Sequence, residues 1–539
     1  MLTIVFLSAV VAFAAAYLVY GRFLARFFGI DNTRPTPAHT DYDGVDRVPA
    51  NRAVLLGHHF SSIAGAGPIV GPIIAATAFG WLPALVWIVA GSILIGGVHD
   101  FATLFVSIRH RARSIAEIAR EYMSPLAYKL FLSFIWLTLV YVLIVFTDLT
   151  SATFAMDGGV AVSSIIFIAL AIGFGLCVYR LRLTVLAASL VFVPLVFLAV
   201  WVGQRIPLQA ESVRSLTGGD PVKVWAVLLI VYCFVASTTP VWVLLQPRDY
   251  LSSFLLYASV LGGLVGISFG AFPASFPAFV DWTAPELGSL FPILFITVAC
   301  GACSGFHSIV ASGTSSKQLD RESDARLVGY GAMLVEGVIA VIALATVIMI
   351  SRHDALAGKP PLEIYATGIS RFLALLRVPQ RIGYSFGLLA LSTFILTTLD
   401  TATRLGRYIF EEFFGLAGVK TRYWSTLATL VLPAIFVLIT LRDAQGNPVP
   451  AWKVIWPAFG ASNQLLAALT LLVITLWLKK GGKRTGIVLV PMAFMIVMTV
   501  WALVLLIGRY RLSVIGLIAA VLLLMALLLV RETARALRA

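Results

Sequence analysis

Three side chains in one short stretch have the types and spacing of a ligand set. Cys300, Cys303 and His307 recur at intervals of three and four, so on a helix both thiols and the imidazole share one face. Soft ligands in that arrangement could hold zinc or iron, with His58 or His59 as a fourth. The competing reading is that these cysteines are small apolar packing residues and that the chain carries no cofactor. A second set is titratable. Asp100, His307, Glu336 and Asp400 all fall inside apolar runs, where ionisable groups are rare and mark the paths of substrates and ions. Ser312 and Thr314, in the hydroxyl-rich sequence Ser312-Gly313-Thr314-Ser315-Ser316, add oxygen ligands suited to a coupling cation or to helix packing. Asp400 and Arg404 are four apart on one helix face and are expected to neutralise each other.

The elements that must position these groups are membrane helices. Of 539 residues, 60% are hydrophobic and 12% charged, against roughly a half and a quarter in soluble domains. Windows of about 19 residues give fifteen apolar spans, near 2–20, 53–77, 82–106, 127–149, 158–178, 183–203, 224–245, 251–272, 289–312, 327–350, 383–405, 422–440, 455–478, 485–507 and 512–530. The fold class is therefore all-α and polytopic, with the lipid bilayer as a partner. The net charge of +14 sits in short loops, which points to topology and anionic lipid and not to nucleic acid. Placing the N-terminus outside and the C-terminus inside puts 27 of the 39 Lys and Arg on the cytoplasmic side. The first span has Arg22 and Arg26 after it and no basic region before it, so it reads as retained. Glu336 lies nine residues past Leu327, about 14 Å into a hydrocarbon core about 30 Å thick. That depth makes it the first choice for a coupling group.

One span cannot be a regular helix. Gly65-Ala66-Gly67-Pro68-Ile69-Val70-Gly71-Pro72 places three glycines and two prolines in eight residues. Two half-helices joined by unwound backbone are expected, and in hydrocarbon such a break survives only where it lines a cavity or is packed in protein. His58, His59, Gly65, Gly67, Pro68 and Gly71 are accordingly candidate substrate residues, with Ser304 on span nine. Span seven supplies a second candidate break at Thr238-Thr239-Pro240, five spans on and running the other way, so Thr238 and Thr239 join the set. That relation predicts two inverted five-helix repeats, 53–205 and 206–414, preceded by a first span and loop over 1–52 and followed by four helices over 415–539. No phosphate-cradling GxxxxGK loop and no large soluble domain is present, which argues against ATP hydrolysis and enzymatic activity.

The motifs carry a resemblance. Gly57-His58-His59-Phe60 with Ala64-Gly65-Ala66-Gly67-Pro68, Leu245-Gln246-Pro247-Arg248-Asp249-Tyr250-Leu251, Ala299-Cys300-Gly301 with Ser304-Gly305-Phe306-His307, Asp400 with Thr403-Arg404, and Trp456-Pro457 with Asn463-Gln464 resemble the carbon starvation protein A family of peptide and pyruvate transporters. The likeness runs over roughly residues 50 to 480. It implies a LeuT-like core of inverted repeats, in a multi-pass protein of the inner, cytoplasmic membrane of a prokaryote. It also implies secondary import of peptides or small carboxylates such as pyruvate, driven by protons, while the sequence itself leaves proton and sodium open as the coupling ion. His99 and Cys303 depart from the family pattern, so the resemblance says nothing of the thiol and imidazole trio. A channel, or a metal-dependent membrane protein built on that trio, is the alternative.

Overall fold

The computed structural model describes residues 1–44, 46–240, 242–416, 418–442 and 447–538. Shorter helices and two small antiparallel strand pairs aside (Thr283–Ala284 with Gly288–Ser289, Leu441–Arg442 with Pro448–Val449), the elements are α1 (Leu2–Phe28), α2 (Arg52–Ile63), α3 (Gly67–Phe79), α4 (Trp81–Arg109), α5 (Pro125–Met156), α6 (Gly158–Tyr179) and α7 (Val185–Arg205). They continue with α8 (Pro221–Thr238), α9 (Leu245–Phe269), α10 (Leu290–Thr297), α11 (Gly305–Gly313), α12 (Arg326–Ile348), α13 (Pro361–Ala374) and α14 (Gln380–Phe414). The last four are α15 (Lys420–Leu438), α16 (Ala451–Lys480), α17 (Gly486–Tyr510) and α18 (Val514–Glu532).

Thirteen of these helices are long and apolar enough to cross a membrane, and the pair α2 and α3, bent by 47°, makes a fourteenth crossing. Helices α10 and α11 are too short singly, at eight and nine residues, and together fill the place of the ninth apolar run. The all-helical polytopic fold stands. Its inner ring is clear from burial: the most apolar windows of α12, α14 and α16 are 94%, 89% and 94% buried, against 28% for α1 and 22% for α7.

The first break falls where glycine and proline put it. Asn51 caps α2 by accepting from the Ala53 amide at 2.9 Å, and the helix stops at Ile63. Helix α3 restarts at Gly67 with Pro68 in its first turn, where a missing amide hydrogen costs nothing. The second break is not at Thr238-Thr239-Pro240. Helix α8 ends at Thr238, just before Pro240, and the separate span α9 starts at Leu245. The end of α8 is closed by arginines: Arg404 donates to the carbonyls of Ala236 (2.8 Å) and Thr239 (2.7 Å), Arg407 to Ser237 (3.0 Å) and Arg422 to Thr238 (3.3 Å). Cations at a helix C-terminus satisfy both the orphan carbonyls and the dipole.

The partner of the first break is the stretch 298–304 between α10 and α11, seven crossings after it. Because seven is odd, the two broken spans still run in opposite senses. Helix α11 packs against α2, and α10 against α3, so the two breaks lie side by side. The segment before α14 forms the 14-residue α13, which buries Leu362, Ile364, Tyr365, Ile369 and Phe372.

Candidate functional site

The breaks touch through residues that have no room for a larger side chain. A Cβ on Gly67 would lie 2.3 Å from both Cβ and Sγ of Cys300, and one on Gly71 would lie 2.5 Å from the Thr297 carbonyl oxygen. Between them is a cavity of about 10 Å³, lined by Ile63, Gly65, Gly67, Val142, Phe146, Cys300, Ser304, Phe306, Thr398 and Phe459. That is space for barely one water, so the cavity is closed. The first turns of α3 and α11 both begin at its wall; in α3 Pro68 has no amide hydrogen and the Ile69 amide donates to the Ala66 carbonyl at 3.1 Å. The start of α11 is capped from another element. Asn463 on α16 accepts from the Phe306 amide (2.9 Å), exchanges hydrogen bonds with Ser304, and donates to Cys300 Sγ (3.1 Å).

Of the residues expected at the substrate site, Gly65, Gly67 and Ser304 line this cavity. Pro68 and Gly71 form the packed first turn of α3 against the other break. His58 and His59 are not in the wall: His58 Nδ1 is 3.0 Å from Asp249 Oδ2 on α9, and His59 Nδ1 is 2.8 Å from Ser315 Oγ just beyond α11. Thr238 and Thr239 are corrected outright, because their hydroxyls donate back to Phe234 and Val235 carbonyls at the end of α8.

The cysteine reading fails at its premise. Cys300 and Cys303 lie in the unwound stretch and not on a helix, so they share no face with His307. Among the described residues, no group of three His, Cys, Asp or Glu is arranged to hold a metal ion. His307 has other partners. Its Nδ1 is 2.7 Å from Asp100 Oδ2 on α4, and its Nε2 lies 3.1 Å from Glu336 Oε2 on α12, off the hydrogen-bonding direction. The other oxygen of Asp100 accepts from His99 Nδ1 at 2.7 Å. All four side chains are fully buried. Both carboxylates follow π-helical turns, Ser92–Gly96 in α4 and Arg326–Gly331 in α12, a backbone device that re-aims side chains and recurs at functional positions.

Asp400 and Arg404 do not pair. Asp400 meets Arg248 of α9 and accepts from the Tyr232 hydroxyl of α8 at 2.8 Å, while Arg404 turns to the end of α8. Ser312 donates to the Ser308 carbonyl (2.6 Å) and accepts from the Ile115 amide (3.0 Å), and Thr314 donates to the Val310 carbonyl (2.9 Å). Their hydrogens are spent locally. Sequence reasoning gave no role to Thr398, Phe146, Phe459, Asn463, His99 or Arg248. The last is the most visible in the sequence, a charged pair with Asp249 between the apolar runs 224–245 and 251–272.

The profile of carbon starvation protein CstA matches residues 1–361 and 353–502. The chain is 33% identical to the peptide transporter CstA of Escherichia coli (strain K12), covering 92% of this chain and 80% of that protein. It is 33% identical to the pyruvate/proton symporter BtsT of the same organism, again over 92% of this chain and 80% of that protein. The peptide transporter CstA of Bacillus subtilis (strain 168) is also 33% identical, over 90% of this chain and 87% of the relative. Among solved structures, MhsT in complex with L-phenylalanine aligns with a TM-score of 0.47 and 14% identity, covering 90% of this chain and 99% of that one. The Eremococcus coleocola manganese transporter gives a TM-score of 0.46 at 13% identity, over 93% and 98%. Likeness at that level is too slight to transfer any detail of a site. The matches across nearly the whole sequence place the chain in the carbon starvation protein CstA family, a family of membrane transporters and not of enzymes.

Proposed function

We propose that this protein imports small monocarboxylates, pyruvate among them, across the cytoplasmic membrane together with a proton, by alternating access around the two breaks. The observation that carries the reading is the charge-free wall of the cavity. None of its ten lining residues is Asp, Glu, Lys or Arg. A carboxylate finds the N-terminal ends of two helices, with the dipole of each helix directed toward it. A peptide would also bring an ammonium group, which the wall offers no carboxylate to receive, and an unpaired buried charge costs several kcal/mol. Of the two substrate classes borne in the names of relatives, the carboxylate is therefore the better fit.

For coupling, Asp100, His307 and Glu336 form a dry cluster of two carboxylates and one imidazole. One proton on His307 leaves it one negative charge; a second brings it to neutrality. Glu336, whose oxygens have no hydrogen-bond donor, is the place for that second proton. The test is uptake into proteoliposomes of labelled pyruvate and of dialanine, under imposed pH and sodium gradients. Concentrative pyruvate uptake that follows the pH gradient and collapses with an uncoupler is expected. Concentrative dialanine uptake that pyruvate does not compete, or accumulation driven by sodium alone, would overturn the reading. Uptake that never exceeds equilibration would assign a channel.

A further inference from the structure

A second ionic cluster, unused by the coupling scheme, lies beside α2. Arg248, near the start of α9, is fully buried. One of its nitrogens does all its bonding: Nη1 donates to the Tyr232 hydroxyl at 2.6 Å and to the Leu396 carbonyl at 3.3 Å, and it meets Asp400 Oδ2. Nε and Nη2 have no acceptor, and Oδ1 of Asp400 has no donor. An arginine present only to neutralise Asp400 would offer it two parallel N–H groups, the geometry in which the two ions bind most strongly. Here Asp400 meets one nitrogen. The two free donors, Nε and Nη2, form the side edge of the guanidinium, which matches the spacing of a carboxylate. Leaving both donors unmade in a buried place is costly unless an acceptor arrives during the working cycle.

The position suggests what arrives. Asp249, the next residue, faces His58 at 3.0 Å, and His58 sits on α2 five residues before Ile63, which lines the cavity. Five residues of helix span about 8 Å, so the Arg248 cluster lies roughly that far from the cavity, toward the α2 end. Resting on the monocarboxylate reading above, we propose that Arg248 is a second carboxylate station. It takes the substrate's carboxylate on its Nε and Nη2 edge when α2 moves away from α9, between the closed cavity and the cytoplasm. The neutral wall of the cavity then releases its anion toward a fixed cation, and Asp400 keeps that cation from holding the anion too tightly.

The experiment uses the full chain and pyruvate as the probe. Arg248→Lys keeps the charge beside Asp400 but removes the side edge. Equilibrium pyruvate binding to the purified variant should stay within about twofold of wild type, while its maximal uptake rate in proteoliposomes falls by about ten- to a hundredfold, the worth of a lost charge-assisted pair. An unchanged uptake rate overturns the station, and so does a loss of binding equal to the loss of rate, which would put Arg248 in the cavity site. If wild-type protein binds no pyruvate, the monocarboxylate reading fails and not the station alone. A double-mutant cycle separates service to substrate from service to Asp249: additive effects of Arg248→Lys and Asp249→Asn on the rate support the station, whereas a double variant no worse than Arg248→Lys overturns it. Should Arg248→Lys fail to fold, solid-state NMR on the wild type in proteoliposomes decides. A dipolar contact between labelled arginine side-chain nitrogen and the pyruvate carboxylate carbon, lost on adding excess unlabelled pyruvate, is expected; no arginine contact overturns the proposal.

Discussion

Gly67 and Cys300 test whether the meeting of the two breaks sets substrate affinity. Gly67→Ala adds one methyl, whose carbon would sit 2.3 Å from Cβ and Sγ of Cys300 and 3.7 Å from its Cα. Ordinary contact between such atoms begins near 3.5 Å, so the two breaks must separate by more than 1 Å or the thiol must leave its rotamer. Overpacking of that kind costs about 1–3 kcal/mol. Since both breaks wall the cavity, much of that cost should fall on pyruvate affinity, a loss of about five- to a hundredfold. The geometry also names its own rescue. Cys300→Gly removes both colliding atoms and leaves only the ordinary contact with Cα, so Gly67→Ala with Cys300→Gly should recover most of the affinity. Cys300→Ala keeps the Cβ and should not. Isothermal titration of purified variants with pyruvate, with thermal unfolding in parallel, reads both quantities. Wild-type affinity in Gly67→Ala, or equal rescue by alanine and glycine at 300, would refute the reasoning.

Further outcomes follow from other contacts. Glu336→Gln should abolish proton-driven accumulation while sparing substrate counterflow, which needs no net proton movement; accumulation at the wild-type level in a folded variant would remove Glu336 from the coupling scheme. Asn463→Ala takes the cap from α11 and the hydrogen bonds from Ser304 and Cys300, so it should lower stability by about 1–2 kcal/mol, read as a lower melting temperature, and an unchanged melting temperature would show the cap to be dispensable. A reporter fused after Ala539 should be active only in its cytoplasm-competent form, and activity in the exported form would reverse the proposed orientation.

What could be read from the sequence was what local chemistry dictates. Glycine and proline between Gly65 and Pro72 break a helix in any context, so the first half-helix pair was legible. So was the depth of Glu336, because rise per residue needs no knowledge of neighbours. The break at 298–304 was hidden because it holds no proline, and its cysteines suggested a helical face. What unwinds it is tertiary: Gly67 and Gly71 press against Cys300 and Thr297, and Asn463 holds the next helix from 160 residues away in sequence. Thr238-Thr239-Pro240 misled for the opposite reason. Its composition does stop a helix, but whether the chain then continues or turns back is decided by the arginines of α14 and α15 that close the helix end. Asp400 was paired with Arg404 because spacing of four is all a sequence offers, and its true partner stands 152 residues earlier.

The placement of the histidines explains how one proton and one substrate can be tied together. His58 and His59 are on α2 and His307 is on α11, the two half-helices on the same side of the cavity. Two of them face acids on unbroken helices: His58 meets Asp249 of α9, and His307 meets Asp100 of α4 and Glu336 of α12. In the proposed cycle the half-helices move and the unbroken ones stay. Opening toward α2 and α11 then draws His307 away from Asp100 and Glu336, leaving Asp100 with His99 of its own helix and Glu336 with no donor. A bare carboxylate at Glu336 would then be buried without a partner, so in this cycle the step proceeds when a proton has entered the cluster and is blocked when it has not. The proton must therefore be aboard before the inward opening that releases substrate. In the proposed cycle, import is coupled to proton entry because His307 is on a half-helix while Asp100 and Glu336 are on helices that stay.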